Sequence, residues 1–135
     1  MDKKLSRNFT IPASFEDVDR LSKDASDEIA SICGHDVAFK LAVCITEACS
    51  NVIKHGYKHD RSKEITIRIR VSDGAVSLII EDLARYFNPL DAESPDLSSV
   101  TDLQKGGMGI LMIRKMARDI SYERKGNKNI LTILL

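Results

Sequence analysis

The chain has no tryptophan, and only four phenylalanines and three tyrosines. That excludes a broad aromatic platform of the kind that stacks single-stranded bases. It has only three cysteines, Cys33, Cys44 and Cys49, with no C-x-x-C spacing. An odd count, with Cys44 and Cys49 inside a helical pattern, argues against a disulfide framework and against a cysteine zinc site. Excess charge of one sign is missing too: twenty Lys and Arg balance twenty Asp and Glu. A neutral chain is a poor electrostatic binder of nucleic acid or anionic membrane. No apolar run is long enough to cross a bilayer. The basic segment Met1–Arg7 has no apolar stretch behind it, which is not the pattern of a signal peptide. The expectation is a reduced, cytoplasmic protein with no direct contact to nucleic acid or membrane.

What is there is ordinary globular material, 43% hydrophobic and 30% charged over 135 residues. That is the size of one domain with one core, expected to span 1–135. Leu5–Ile11 alternates roughly apolar and polar and Pro12 closes it, the pattern of an edge strand. Ser14, with Asp17 three residues on, starts a helix whose buried face is Val18, Leu21, Ala25, Ile29 and Ile32, and Gly34 stops it. A second helix runs from about His35 to Lys54 or His55, with an apolar stripe of Leu41, Cys44, Ile45, Ala48 and Val52 and with Gly56 past its end. Two strictly alternating runs, Glu64–Val71 and Ala75–Asp82, flank Asp73-Gly74, a hairpin signal. An acidic, proline-bearing segment from Leu83 to about Lys105 has no clear period. Loops of that length in a compact domain are commonly lids. A short helical pattern with Ile110, Ile113, Met116 and Ala117 follows, then two strand-like runs about a Gly126-Asn127 turn. The order β-α-α-β-β-lid-α-β-β implies an α+β fold, helices on one face of a mixed, mostly antiparallel sheet.

Three places carry residues suited to chemistry. Glu47, Asn51 and His55 are four apart and share one helical edge. On their own they are either a pocket wall or a solvated polar face. Lys105-Gly106-Gly107-Met108-Gly109 opens a helix, where free backbone amides and the helix dipole favour a phosphate. It is neither a Walker loop nor a dinucleotide fingerprint, and a plain flexible loop is its other reading. Asp82 ends an apolar strand, where it can accept from a nucleobase amine or simply start a turn. His55 and His59 do not suggest a metal pair, because Gly56 interrupts the helix between them. Met108, Met112 and Met116 read as packing residues.

Taken in order, Glu47-x-x-x-Asn51-x-x-x-His55-Gly56, then Asp82, then Gly106-Gly107-x-Gly109 resembles the GHKL ATPase superfamily over nearly the whole chain. Within it the chain looks most like the anti-sigma-factor serine/threonine kinases of bacterial partner-switching modules. The resemblance implies the two-layer α/β sandwich of the Bergerat fold, with ATP and Mg²⁺ as cofactors. It implies Glu47 as general base and Asn51 as Mg²⁺ ligand, a suitable hard-oxygen donor. Lys54 or His55 would lie near the phosphates, Asp82 would read the adenine amine, and Lys105, Gly106, Gly107, Met108 and Gly109 would surround the phosphates. Residues 83–105 would form the lid. The implied partners are a STAS-type anti-sigma-factor antagonist as substrate, a sigma factor, and a second copy of the chain.

One stretch departs from the family. Where the resemblance expects D-x-G-x-G, the chain reads Asp82-Leu83-Ala84-Arg85-Tyr86, so Ala84 and Tyr86 replace two glycines at the nucleotide site. Glycine permits positive φ and close backbone approach. Tyr86 would then strain the turn, fill the pocket or stack on the base, and weakened ATP binding is the expectation. A binding module on the same fold, catalytically weak or nucleotide-independent, is therefore the alternative to the kinase.

Overall fold

The structure, a computed structural model, describes residues 4–91 and 108–135. Its strands are β1 (Lys4–Pro12), β2 (Glu64–Ser72), β3 (Ala75–Asp82), β4 (Asp119–Lys125) and β5 (Lys128–Leu134), and its helices α1 (Phe15–Cys33), α2 (His35–Asn51) and α3 (Met108–Met116). The five strands form one sheet in the order β1-β2-β3-β5-β4, every pair antiparallel. The mixed sheet expected from sequence is thus wholly antiparallel among the described strands.

Local chemistry sets most of the element ends. Ser14 caps α1 by accepting from the Asp17 amide at 3.2 Å. Gly34 leaves α1 at φ 93°, a conformation costly for any residue with a Cβ, and its N–H returns to the Ala30 carbonyl. Asp73 and Gly74, with φ of 53° and 80°, make the two-residue turn whose twist suits the β2–β3 hairpin. The alternation in β2 is that of a half-buried strand: Ile65, Ile67, Ile69 and Val71 are buried, while Thr66, Arg68 and Arg70 face the other way and are partly exposed. β1 lies at one edge of the sheet, where Pro12 costs no interior hydrogen bond.

The core lies between sheet and helices. Leu41, Ile45 and Cys44 of α2 are fully buried against Ile67, Leu78, Ile80 and Ile133 of the strands, in one cluster with Ile110 and Ile113 of α3. Each such side chain contributes about 1.5–3 kcal/mol of burial. Of the α3 methionines, Met116 packs on the core and Met108 is exposed.

The end of α2 differs from the expected α-helix through Lys54 or His55. At Val52 the chain widens into a π-helical turn, Val52–Gly56, closed by the Tyr57 amide on the Val52 carbonyl at 2.7 Å. Val52 and Ile53 are both buried in this turn. The turn also breaks the straight edge that would have stacked His55 over Asn51. Such turns recur at functional sites.

Candidate functional site

The β3, β5 and β4 registers place Asp82 opposite Asn129 and Asn129 opposite Arg124, and one step further in they align Ile80, Leu131 and Tyr122. Asp82, Asn129, Ile80, Leu131 and Tyr122 floor a cavity walled by Ala48, Asn51 and Val52 from the end of α2 and by Phe87 and Pro89 from the segment after β3. Asn51 and Asp82, 31 positions apart in sequence, therefore line one space. Its free volume is about 20 Å³, room for a single water and not for a purine ring.

Asp82 is buried, and burial raises its carboxyl above the usual range; hydrogen bonds from Asn129 and the Ala84 amide, and the Arg124 charge, oppose that rise. Both hydrogen bonds fall on Oδ1, each at 2.9 Å. Asn51 presents a different feature. Its Nδ2 is buried without a hydrogen-bond partner among the described residues. A buried amide left unpaired costs about 1–3 kcal/mol, so the position calls for a partner that the described residues do not supply.

Glu47 sits one turn earlier on α2, half-buried, against the start of α3. A Cβ added to Gly109 would lie 2.5 Å from Glu47 Oε2. Gly109 thus leaves room for the carboxylate at the helix start. Met108, beside it, is exposed and begins α3. Lys105, Gly106 and Gly107 lie outside the described residues.

The remaining sequence candidates fall around this centre rather than in it. Lys54 and His55 are on the exposed side of the π-helical turn, and neither lines the cavity. His55 stacks on Phe87, ring centroids 5.6 Å apart and planes 26° from parallel. Partial burial and the charges of Lys58 and Lys54 lower its pKa, so it is neutral at pH 7. Ala84 is buried against Gly56, where a Cβ on the glycine would meet the Ala84 Cβ at 3.1 Å. Neither Ala84 nor Tyr86 has positive φ, so the missing glycines leave no strain of that kind. Tyr86 does not line the cavity either. Its ring is 58% exposed and meets Tyr122 edge-on at 5.7 Å.

Four residues that sequence reading passed over shape the site: Tyr57, Phe87, Tyr122 and Asn129. Tyr57 is buried, donates to the Glu64 carbonyl at 2.7 Å and accepts from the Leu83 amide at 2.8 Å, tying the end of the π-helical turn to the chain leaving β3. Asn129 had a signal. The inward positions of β5 are Asn129, Leu131 and Ile133, so a polar residue stands where the alternation calls for an apolar one. The two buried thiols take no part: burial pushes Cys44 up to about 11 and Cys49, also facing the Asp82 charge, up to about 12, leaving them as thiols at neutral pH.

Helices on one face of an antiparallel sheet, with an asparagine of α2 facing an aspartate at the end of β3, define a GHKL-type ATPase fold. The chain belongs to the histidine kinase-like ATPase domain family, which its residues 11–135 match. It is 33% identical over 96 residues to the serine/threonine-protein kinase BtrW of Bordetella bronchiseptica, a match covering 70% of this chain and 68% of that one. It is 28% identical over 95 residues to the serine-protein kinase RsbW of Bacillus subtilis, covering 66% of this chain and 59% of the relative. Among solved structures, the RsbU and RsbW domains of Rv1364c from Mycobacterium tuberculosis share the fold. The TM-score is 0.66 at 15% identity, over 96% of this chain and 32% of that one. No helix among the described residues is long and apolar enough to cross a membrane.

Proposed function

We propose that this protein is a Mg-ATP-dependent serine/threonine-protein kinase and anti-sigma factor of a partner-switching module, whose substrate is a STAS-type anti-sigma-factor antagonist. The observation that carries this reading is the convergence of Asn51, its Nδ2 buried without a partner among the described residues, with the buried Asp82 on one cavity. Asp82 accepts from the exocyclic amine of the base. Asn51 would hold Mg²⁺ through its side-chain carbonyl oxygen, and its Nδ2, a donor, would face an acceptor oxygen of the nucleotide rather than the ion. Among the described residues no three His, Cys, Asp or Glu side chains cluster as a metal site. An ion held by one amide oxygen and the nucleotide's own phosphates fits that donor set. When bound, Mg²⁺ neutralises the phosphate charge. Glu47, one turn from Asn51, takes the proton of the attacking hydroxyl. Lys105, Gly106, Gly107, Met108 and Gly109 surround the phosphates, with Lys54 and His55 at the margin. The chain acts as a single cytoplasmic domain over 1–135, with residues 83–105 as lid, and works as a homodimer that also binds a sigma factor.

The closed cavity favours a second reading, a binding module with a weak nucleotide site. The test is to mix the protein, Mg-ATP and a STAS-type antagonist shown to bind it, and to look for phosphoserine or phosphothreonine by mass spectrometry. Phosphate on the antagonist is the expected result, and its absence with a verified partner sinks the kinase. Calorimetry with Mg-ATP separates the rest: no nucleotide binding leaves the binding module.

A further inference from the structure

The turn that follows Asp82 contains no glycine, yet it closes tightly enough to bury Ala84. The side chain of Asn129, 4% exposed, accounts for this. Its two Nδ2 hydrogens are shared among three acceptors, Asp82 Oδ1 at 2.9 Å, the Arg85 carbonyl at 3.0 Å and the Ala84 carbonyl at 3.2 Å. Its Oδ1 accepts from Arg124 Nη1 at 3.0 Å, from the Phe87 amide at 3.4 Å and from the Tyr122 hydroxyl. The amide orientation is fixed by these partners: every neighbour of Nδ2 is an acceptor and every neighbour of Oδ1 a donor. Arg124 completes the clamp by donating to the Ala84 carbonyl at 2.8 Å.

The consequence falls on Asp82. Oδ1 is occupied by Asn129 and by the Ala84 amide, while Oδ2 has no hydrogen bond among the described residues. A carboxylate free to rotate offers either oxygen to a ligand at variable angles. One pinned through Oδ1 offers a single acceptor in one direction. We propose that Asn129 is the positioning residue of the base subsite: it locks Asp82 and the glycine-free turn so that Oδ2 alone remains to accept from a purine 6-amine. This rests on the nucleotide-site reading and assigns it a selectivity, for 6-amino over 6-oxo purine triphosphates. A 6-oxo base would set an acceptor against an acceptor.

The test is calorimetric titration, in magnesium buffer, of the wild-type chain, Asn129→Asp and Asn129→Ala with ATP and with inosine triphosphate. Asn129→Asp keeps the size and the acceptor side of the clamp and removes the donors to Asp82, Ala84 and Arg85. The wild type should prefer ATP, and both variants should narrow the ATP-to-inosine-triphosphate affinity ratio tenfold or more while melting as folded proteins. A ratio that survives while both affinities fall in parallel marks Asn129 as merely structural and overturns the inference, leaving the nucleotide site intact. A wild type that binds ATP without preference does the same; one that binds neither nucleotide overturns this inference and the nucleotide site together. Should the variants not fold, the wild-type Asn129 side-chain amide resonances decide. They should shift with ATP far more than with inosine triphosphate, and equal shifts refute the role.

Discussion

Gly109→Ala tests whether Glu47 is the base without touching Glu47. The new methyl would stand 2.5 Å from Glu47 Oε2, 3.4 Å from Cδ and 3.5 Å from Cβ. Only the terminal oxygen is in conflict, so the carboxylate must withdraw by roughly 1 Å to reach ordinary contact distance. Leaving its rotamer costs on the order of 0.5–1.5 kcal/mol. Alanine in place of glycine near a helix start returns up to about 1 kcal/mol. The net loss is at most about 1.5 kcal/mol, so the melting temperature should move by no more than about 6 °C. Transfer responds differently, because a reacting group displaced by about 1 Å loses on the order of 100-fold in rate. In the proposed site Gly109 also borders the phosphates, so affinity is measured alongside, and a loss of transfer at saturating Mg-ATP that exceeds any loss of affinity reports on Glu47. The assay is phosphate transfer to the antagonist at saturating Mg-ATP, followed by mass spectrometry, beside a calorimetric affinity and a thermal melt. Glu47→Gln is the reference, with an expected loss of about 100-fold or more. Transfer by Gly109→Ala within about threefold of wild type would falsify the base assignment.

Asn51→Leu should raise the melting temperature of the free protein, since it removes a buried unpaired amide worth about 1–3 kcal/mol, and should abolish Mg-ATP binding in calorimetry. A variant that is destabilised, or that still binds Mg-ATP, contradicts the reading of that position. Tyr57→Phe should cost about 1–3 kcal/mol in urea unfolding, because the Glu64 carbonyl and the Leu83 amide both lose their partner; an unchanged midpoint means water replaces the hydroxyl without loss. His55 has a lowered pKa in the folded chain, so between that value and the ordinary 6.5 the unfolded chain binds more protons. Stability should rise with pH through that window, and this group should add no slope above or below it. His55→Gln should flatten the slope in unfolding measured across pH 5.5–7.5, and an unaltered slope assigns the titration elsewhere.

Much of this molecule is decided by neighbours in sequence. Asp73-Gly74 makes its hairpin because those two residues tolerate positive φ, and Ser14 starts α1 because its hydroxyl reaches the Asp17 amide. The period-2 runs of β2 and β3 face the core because a pleated strand with one apolar side has no other stable register. The same local order made the α+β architecture legible, and with it the spacing of Glu47 and Asn51 along α2. The end of α2 was not legible in the same way: the last turn is widened over Val52–Gly56 and His55 stacks on Phe87. Sequence reading also expected Tyr86 to strain the turn, fill the pocket or stack on a base. Its negative φ and its contact with Tyr122 remove the first two at this site.

The amino-acid sequence by itself thus determined the element order, the caps and turns, the buried faces and the polar residues offered by α2. Hydrogen bonds and side-chain periods a few residues long suffice for those. Only the tertiary structure decided that Asn129 lies opposite Asp82, 47 positions away, that Gly109 makes room for Glu47, and that Asn51 Nδ2 is buried with no partner among the described residues. Each depends on which strand pairs with which and on how α3 meets α2. Those choices are made by the packing of the whole core, and no local pattern encodes them.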